Sequence, residues 1–594
     1  MKQYKSRNEV PENEKWDLTH IFKNMKAVEL KINNLKKELK ELSKQVGFAE
    51  NSNALQNFLD QYFIFQEEVL SLELYSFLKL DEDATNQESL KLKGKIDNLG
   101  NEIEINLAFV IPTLMRISKN KWKQFQKENK NLIKYNNWLM QLQHEKEHSL
   151  NAETEELISR LTQTMNSYED ICDTLIDSEL DYGFIEGEPL TSSNYRKWIM
   201  NENRDIRKKT SEQYFEVLKK HKNTFASLYY NYLKNFNEIA KIRHYKNSQE
   251  AALKGSNINE KIIDQLIKTT KDNIKPFHNY LELRKEVLQL DLLHPYDLTI
   301  PLAKSKKEYT IEETKEIILK SLSILGEEYT SIIKTAFEDN WIDFANYKGK
   351  KSGAYCAHIY NYHPNILMTY NGDLDSISTI IHELGHAANG MLSKKNPSYE
   401  SNTDMFLVEI ASLTNEFLLS DYILKNSEDK QEQLAAIYNN LHLIKNNLFT
   451  CIYDAELEND IHNNIFEDNY ISAEFLQENM LKHKQEILGN HVVHGENSSV
   501  GWTVRTHYFR PFYLFKYATS VCIAASVASK IINKEESFIN KYLDFLASGS
   551  KKWPLEILSD LGISLETDQV YVDAIKYFDE LVNQFRNIYK EVNE

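Results

Sequence analysis

Three residues in the segment TIIHELGHAANG, residues 379–390, have the types and spacing that metal-dependent chemistry uses. His382 and His386 are four positions apart, one helical turn, so both imidazoles project from one face and can share a cation. Glu383 lies about 100° around the helix from His382, where it can reach a water on the metal. This is the pattern of metal-assisted hydrolysis. The alternative is a chance match, which has a probability of about a few per cent in a chain of this composition.

A catalytic zinc needs a third protein ligand and keeps a fourth position for water. The extended motif HExxHxxGxxH does not supply that ligand, because Asn389 and Leu392 occupy its glycine and third histidine positions. The next helical segment, TDMFLVEIASLTNEFLLSDY, offers Glu409 among apolar neighbours, where an unpaired carboxylate would be costly to bury. Glu416, two turns later, could orient an imidazole N–H. Glu409 would complete a His₂Glu set; the alternative is a solvent-facing acid on an amphipathic helix.

The helix that carries the two histidines has a start signal and an apolar side. Asp373 or Asp375 can cap its N-terminus. Apolar residues then recur at spacings of three, four and seven: Ile377, Ile380, Ile381, Leu384, Ala388, Met391 and Leu392. In front of this helix, AYCAHIYNY and NILMTY are predicted to form short strands around a turn at His363-Pro364. A small β-sheet is therefore expected just before the HExxH helix.

The rest of the chain is predicted to be mainly α-helical. Its 594 residues include only 17 Gly and 10 Pro, so turns should be few and elements long. Two apolar sets recur at helical spacing: Ile32, Leu35, Leu39 and Leu42, and later Leu157, Leu161 and Met165. Turn residues interrupt the helices at 182–195 and at 489–502, and a further helix is expected after Thr310. The length predicts more than one structural domain.

Composition excludes several classes of partner. A formal charge of −17 argues against nucleic acid, because no basic surface would displace counterions from phosphates. The four cysteines form no CxxC pair, which argues against a thiolate zinc site or a disulfide framework. The N-terminal segment lacks the apolar core of a secretory signal. The longest weakly polar run, ATSVCIAASVASKII from Ala518, is shorter than the roughly 20 residues of a membrane span. We therefore expect a cytoplasmic protein with no membrane partner.

IIHELGHA and FLVEIASLTNEFLL together resemble the oligoendopeptidase F branch of the thimet-oligopeptidase-like metallopeptidases. Other matching segments are WDLTHIF, DLTIPL, KSGAY, NILMTYNGDLDSISTIIHELGHA and HYFRPFYLFKYATS. The resemblance covers nearly the whole chain and implies a cytoplasmic zinc endopeptidase that hydrolyses internal bonds of short, unstructured peptides. It also implies a large, helical, two-lobed body with a deep substrate channel. We expect an N-terminal helical region (1–115), an oligopeptidase-F-type helical subdomain (116–190) and a catalytic zinc-peptidase domain (191–594).

The resemblance also implies roles for individual residues. His382, His386 and Glu409 would bind one Zn²⁺ per chain, and Glu383 would activate the zinc-bound water. Three residues would face the scissile carbonyl: His507, Tyr513 and Tyr517. The segment departs from the family pattern at two places, with HYF where HFY is typical and Ser520 in place of the glycine of ATG.

Two further segments are expected to contact the substrate. The predicted strand NILMTY could pair with the substrate backbone. The segment 489–502 could move to hold the peptide, or it could be an ordinary surface connection.

Three other functions compete with this prediction. An exopeptidase, such as a carboxypeptidase, could use a similar zinc scaffold. A non-catalytic peptide-binding protein would have no reason to keep the water-activating Glu383. A structural zinc site usually has four protein ligands, often cysteines. Nothing in the sequence specifies an oligomeric state.

Overall fold

The computed structural model describes residues 4–534 and 536–593. It is 72% helix and 3% strand, which confirms the predicted mainly α fold with small β-sheets. The N-terminal helices are α1 Met25–Leu42, α2 Ser52–Glu82, α3 Gln87–Leu107, α4 Val110–Arg116, α5 Lys119–Glu128, α6 Asn136–Leu142 and α7 Ala152–Thr174. The next are α8 Ser192–Ile199, α9 Arg204–Lys220, α10 Lys222–Ile242, α11 Ser248–Leu253, α12 Lys261–Asp272, α13 Lys275–Leu288, α14 Ile311–Leu322 and α15 Glu327–Glu338.

The helices of the C-terminal half are α16 Leu374–Ser393, α17 Val408–Asn426, α18 Lys430–Ile444, α19 Thr450–Phe466, α20 Ala473–Leu488, α21 Leu514–Ile532, α22 Glu536–Leu546, α23 Pro554–Leu561 and α24 Gln569–Asn593. The strands are β1 Phe184–Ile185, β2 Glu188–Pro189, β3 Ile342–Asp343, β4 Tyr355–Ala357 and β5 Asn365–Leu367.

The chain divides into two compact units, each made of three segments. The first unit consists of Met1–Glu147, Lys307–Tyr422 and Lys530–Leu561. The second unit consists of His148–Lys306, Ile423–Ser529 and Gly562–Glu594. The HExxH helix and the sheet before it belong to the first unit, and the segment with His507 belongs to the second.

Local sequence signals account for several helix boundaries. Asn24 caps α1 by accepting from the Ala27 N–H, and the predicted apolar stripe from Ile32 to Leu42 is buried. Thr310 and Glu313 form a capping box at the start of α14, where a helix was expected. The second predicted stripe does lie in a helix, α7, but Leu157 and Leu161 remain 57% and 47% exposed.

Both predicted interruptions of the helical pattern occur. Residues 182–195 contain the antiparallel hairpin β1–β2, with Gly183 and Gly187 at positive φ. Residues 489–502 contain the 3₁₀ turn Gly489–His491 and most of a second, Glu496–Val504, which buries Trp502 completely.

The sheet before α16 has three strands in the order β3-β5-β4. Strand β5 pairs in parallel with β3 and antiparallel with β4. The segment NILMTY contains β5 and therefore lies in the centre of the sheet. The prediction that this segment pairs with substrate is wrong, because both of its edges already form hydrogen bonds within the sheet. Strand β4 is an edge strand.

An apolar core joins the N-terminal helices of the first unit to this sheet. Leu35 of α1, Phe58 of α2 and Leu367 of β5 are fully buried in one cluster. Tyr355 and Ala357 of the edge strand β4 pack against the same cluster. The core therefore supports the edge strand from one side.

A buried charge network joins the N-terminal segment to strand β3. Asp343, which is fully buried, pairs with Arg7 and with Lys350, whose Nζ lies 2.6 Å from Asp343 Oδ1. Lys350 Nζ also donates to the carbonyl oxygens of Ala345 and Met368, at 2.7 Å each. Arg7 also pairs with the buried Glu82 at 3.0 Å, so Asp343 and Glu82 together compensate two cations in a low-dielectric setting.

One helix in the described part of the chain, α21, is long and apolar enough to cross a membrane. It spans 19 residues and begins at Leu514, so it is longer than the run predicted from Ala518. Of its most apolar window, 67% is buried inside the protein. Such burial is typical of a core helix.

The Asp343 network predicts a large effect of a small substitution. Asp343→Asn removes the charge that Arg7 and Lys350 share, and breaking a buried ion pair from one side typically costs about 3–5 kcal/mol. We expect a clear fall in the urea midpoint, measured by circular dichroism. Asp97→Asn is the matched control, because Asp97 pairs with Lys93 on the exposed surface and should leave the midpoint near wild type. Equal midpoints for both variants would contradict the role of the network.

Candidate metal centre

Helix α16 presents the two histidines because its other side is buried. Asp373 caps the helix and accepts from the Ser376 N–H at 2.9 Å, as predicted. The residues of the predicted apolar stripe that are completely buried are Ile377, Ile380, Ile381, Leu384 and Ala388. Burial of this stripe fixes the rotation of the helix, and His382 and His386 then project together from an adjacent side.

Helix α17 can approach α16 only because residue 385 is glycine. A Cβ at this position would lie 2.6 Å from Ser412 Cα and 2.8 Å from the Ala411 carbonyl oxygen, both backbone atoms of α17. Asn415 of α17 also donates from Nδ2 to the Ile381 carbonyl of α16, at 3.0 Å. The two helices are therefore held in close contact one residue before His386.

This contact brings three ligand atoms together. Glu409 lies in the first turn of α17, and its Oε2 is 3.4 Å from His382 Nε2 and 3.5 Å from His386 Nε2. In a tetrahedral zinc site with bonds of 2.0–2.1 Å, ligand atoms are about 3.3 Å apart. The three ligand atoms all lie within 4.8 Å of one another. The spacing and the chemistry of this donor set fit a zinc ion.

Neighbouring side chains orient the donors. His382 Nδ1 lies 2.8 Å from Glu416 Oε1, the carboxylate predicted for this purpose, so that Nε2 faces the other ligands. Ser378 Oγ donates to the second oxygen of Glu416 at 2.8 Å, and Ser412 Oγ donates to Glu409 Oε2 at 2.9 Å. Neither serine was predicted from the sequence, although Ser378 lies one helical turn before His382.

The charges of this group call for a cation at its centre. Burial alone would lower the pKa of His382, but Glu409 and Glu416 raise it well above the ordinary value. Burial would raise the pKa of Glu409, but the imidazoles of His382 and His386 hold it well below the ordinary value. A proton on His382 supplies the compensating charge in the absence of metal, and a divalent cation would supply it when bound.

Glu383 lies in a different environment from Glu409. Its side chain is buried, and this burial raises the pKa of its carboxyl group. It lies close enough to Cys356 of β4 that its charge, together with burial, raises the pKa of that thiol. Glu383 therefore has a basicity above that of an ordinary glutamate, and its helix packs against the edge strand β4.

The end of β4 also packs on α16 through a residue that the sequence analysis missed. A Cβ at Gly390 would lie 2.7 Å from the ring of His358, which follows β4. Burial lowers the pKa of His358 to about 4, so this imidazole is neutral at neutral pH. The only sequence signal was that His358 lies within the predicted strand AYCAHIYNY.

The other predicted site residues form a group in the second unit. The ring centroid of His507 lies 6.2 Å from that of Tyr513 and 5.9 Å from that of Tyr517, and the centroids of the two tyrosine rings are 5.4 Å apart. Burial and the nearby Arg505 lower the pKa of His507. The structure thus brings these three residues together, and the lowered pKa favours the neutral form of the His507 imidazole.

Helix α19 explains the altered HYF sequence. Tyr508 is 2% exposed, and its hydroxyl donates to Asp454 Oδ1 at 3.1 Å. Arg505 Nη2 pairs with the other oxygen of Asp454 at 2.7 Å. Phe509 is buried and stacks on Tyr229 of α10, with ring centroids 4.7 Å apart. The second and third residues of HYF therefore belong to the interior of the second unit.

One turn along α19, Glu458 holds the same segment at a second point. Its Oε1 accepts from the Phe512 N–H at 2.7 Å. Phe512 has φ of 53°, a left-handed conformation that is unfavourable for a bulky residue. Burial raises the pKa of Glu458 to about 8. Asp454 and Glu458 together fix the backbone that leads from His507 to Tyr513.

A mostly helical chain with an HExxH helix, a glutamate from the next helix beside both histidines and a further buried glutamate has the architecture of a metallopeptidase. Residues 198–577 match peptidase family M3, and residues 114–182 match the oligopeptidase F family. The chain therefore belongs to peptidase family M3, as a metalloendopeptidase that cleaves oligopeptides. This confirms the family and the enzyme class predicted from the sequence.

Known proteins resemble the chain over almost its full length. Oligopeptidase PepF of Bacillus subtilis is 29% identical over 600 residues, covering 100% of this chain and 90% of the relative. A crystal structure of a proposed peptidase from Chlamydophila abortus superimposes with a TM-score of 0.88 at 28% identity, covering 99% and 100% of the two chains. Oligoendopeptidase F from Enterococcus faecium shares the fold, with a TM-score of 0.74, 24% identity, and coverage of 95% and 99%.

The close contact at Gly385 predicts opposite effects of the same substitution at two glycines. Gly385→Ala places a Cβ against the backbone of α17, so the helices must separate and Glu409 must move away from the histidines. We expect a lower melting temperature and a zinc affinity reduced by at least about tenfold, measured by competition with a chelator. Gly94→Ala in α3 meets nothing within 4 Å and should keep or raise the melting temperature. If Gly385→Ala binds zinc as tightly as the wild type does, the close helix contact is not what positions Glu409.

Proposed function

We propose that this metalloendopeptidase uses one zinc ion, held by His382, His386 and Glu409, to hydrolyse internal bonds of short peptides. The observation that supports this most strongly is the position of Glu409 Oε2, 3.4 and 3.5 Å from the two imidazole nitrogens. When bound, zinc would polarise the scissile carbonyl and lower the pKa of the attacking water. With three protein ligands, one position stays open for that chemistry.

Glu383 acts as the general base. It accepts the proton of the attacking water and delivers it to the leaving amine. Burial raises the pKa of its carboxyl group, which brings its basicity closer to what proton transfer near neutral pH requires. The hydrogen bond from His382 Nδ1 to Glu416 keeps the Nε2 lone pair directed at the metal.

Strand β4 is the proposed platform for the peptide. It is the last strand on its side of the sheet in the described part of the chain, so its outer edge is available for strand addition. Cys356 of β4 lies near Glu383, which would bring a paired peptide backbone to the base. Backbone pairing gives affinity with little side-chain selectivity, as suits an enzyme that cleaves varied peptides.

His507, Tyr513 and Tyr517 are the proposed donors to the tetrahedral oxyanion. Their rings lie together, and the lowered pKa of His507 leaves a neutral imidazole with one N–H to donate. Tyr508 is not proposed as a donor, because its hydroxyl is bonded to Asp454.

Other expectations stay predictions alongside this proposal. They are the three-part division at residues 115 and 190, the two-lobed body with a deep channel for short unstructured peptides, the movement of residues 489–502 and the cytoplasmic location. Family membership favours the endopeptidase over the exopeptidase. The buried Glu383 beside a complete ligand set argues against a binding-only protein or a structural zinc site.

The general-base role of Glu383 predicts a variant that keeps zinc and loses turnover. Glu383→Gln preserves size and polarity but cannot accept the water proton, so kcat should fall by at least about 10²–10⁴. Zinc content should remain equal to that of the wild type, with the α16 centre occupied. The substrate is a quenched fluorescent peptide blocked at both termini, which only an endopeptidase can cut. Near wild-type turnover by the zinc-loaded variant would rule out this mechanism.

The tyrosines predict a contrast within one short segment. Removal of an oxyanion donor typically costs about 10²–10³ in kcat, which we expect for Tyr513→Phe or Tyr517→Phe. Tyr508→Phe removes a hydroxyl bonded to Asp454 and should cost less than about tenfold in kcat while lowering the melting temperature. All three variants should be compared at saturating blocked peptide. If Tyr508→Phe loses the most activity while folded, the assignment of the donors is wrong.

A further inference from the structure

A second group of metal-ligating side chains lies in the second unit and has no part in the proposed reaction. Glu456 of α19 and His483 and Glu486 of α20 each direct one ligand atom to a common region, with all three atoms within 4.8 Å of one another. The group borders an open cavity of about 420 Å³, which also contains Asp264 and Asp272 of α12. The cavity gives a cation a path of entry from solvent.

His483 is the central residue of this group. Its side chain is 5% exposed, and Nε2 lies 2.7 Å from Asp460 Oδ2, a contact that favours the tautomer with its proton on Nε2. The lone pair of Nδ1 then faces Glu456 Oε2 at 3.5 Å. Among the residues that the structure describes, neither His483 Nδ1 nor Glu456 Oε2 has a hydrogen-bond partner. Two buried acceptors that face each other repel unless a positive charge lies between them.

The geometry matches that of the centre on α16. The distance of 3.5 Å between His483 Nδ1 and Glu456 Oε2 equals that between His386 Nε2 and Glu409 Oε2. Asp460 orients His483 as Glu416 orients His382, which is the carboxylate–histidine–metal arrangement of zinc sites. Glu486 Oε2 lies 3.9 Å from His483 Nδ1 on the solvent side. We propose that Glu456, His483 and Glu486 form a second binding site for a divalent transition metal ion, with zinc as the ion that suits one imidazole and two carboxylates.

Lys271 of α12 competes with that ion. Its Nζ lies 2.6 Å from Glu456 Oε1 and also pairs with Glu486, so an ammonium group already neutralises part of the site. The Lys271 side chain is 32% exposed and can move into solvent when a divalent ion enters. The second site is therefore weaker than the centre on α16 and fills as zinc concentration rises.

Occupancy would act on the segment that carries His507. A metal bound by α19 and α20 ties the two helices together, and α19 also holds that segment through Asp454 and Glu458. Because the ion binds only the folded arrangement, zinc above one equivalent should stabilise the second unit. The inference rests on the residues of this unit alone and does not depend on the catalytic proposal.

The test counts zinc bound to the full chain by equilibrium dialysis after chelator treatment. We expect two ions per wild-type chain, the second weaker, and one ion for His483→Gln or Glu486→Gln. The matched control His221→Gln should still bind two. The double variant His382→Ala/His386→Ala should keep the site that His483→Gln removes, which separates this proposal from the catalytic one. Lys271→Met should tighten the second site by about tenfold or more, because a competing positive charge is gone.

Two further readouts distinguish a site from adventitious binding. Zinc beyond one equivalent should raise the melting temperature of the wild type but not of Glu486→Gln, whose side chain is partly exposed and whose fold should be intact. Cobalt added beyond one equivalent should increase the d–d absorption of the wild type, as expected for a second low-coordinate ion, and should add none in His483→Gln. The proposal is overturned if wild type, His483→Gln and Glu486→Gln bind the same number of zinc ions and Lys271→Met leaves zinc affinity unchanged. In that case His483 is a protonated residue that forms ion pairs with Asp460 and Glu456.

Discussion

The close contact between α16 and α17 at Gly385 is the constraint on which the metal centre depends. A Cβ at this position would lie 2.6 Å from the backbone of Ser412, so any other residue would push the helices apart. With glycine, the first turn of α17 brings Glu409 to both imidazoles. The hydrogen bond from Asn415 to the Ile381 carbonyl and that from Tyr329 to Asn415 hold the same contact from its other side. The absence of a side chain at residue 385 thus allows three candidate ligands from two helices to lie together.

Compensation of charge is the second organising feature. At the α16 centre, two carboxylates face two imidazoles, and His382 takes up a proton or the group takes up a cation. The same combination recurs around His483, where Asp460 fixes one nitrogen and the other faces a carboxylate. Around the buried Asp343 two cations, Arg7 and Lys350, pair with the same carboxylate, and Arg7 pairs with Glu82 as well. In each case, low local dielectric makes an uncompensated charge costly.

Much of the candidate site follows from local sequence patterns. The apolar stripe and the Asp373 cap predict α16, and the spacing of the histidines predicts their shared face. The apolar setting of Glu409 favoured a ligand, and the structure places it beside both imidazoles. Glu416 could be predicted from its spacing, because it lies two turns after Glu409 on the same side of the helix.

The features that were missed depend on contacts distant in sequence. Strand β3 has only two residues and carries no periodic signal, so the central position of β5 could not be recognised and substrate pairing was assigned to the wrong strand. The close contact at Gly385 involves a backbone 27 positions away. The burial of Tyr508 depends on Asp454, more than fifty residues earlier. Helical periodicity identified α7 but could not show that Leu157 and Leu161 remain exposed.

The most direct test of the metal centre is an anomalous difference map, collected at the zinc absorption edge from crystals of the chain loaded with zinc. The strongest peak should lie about 2.0–2.2 Å from the Nε2 atoms of His382 and His386 and from a carboxylate oxygen of Glu409, with no fourth protein ligand. A strongest peak elsewhere in the chain, or one with a fourth protein side chain bound, would contradict the proposal that these residues form an open catalytic site.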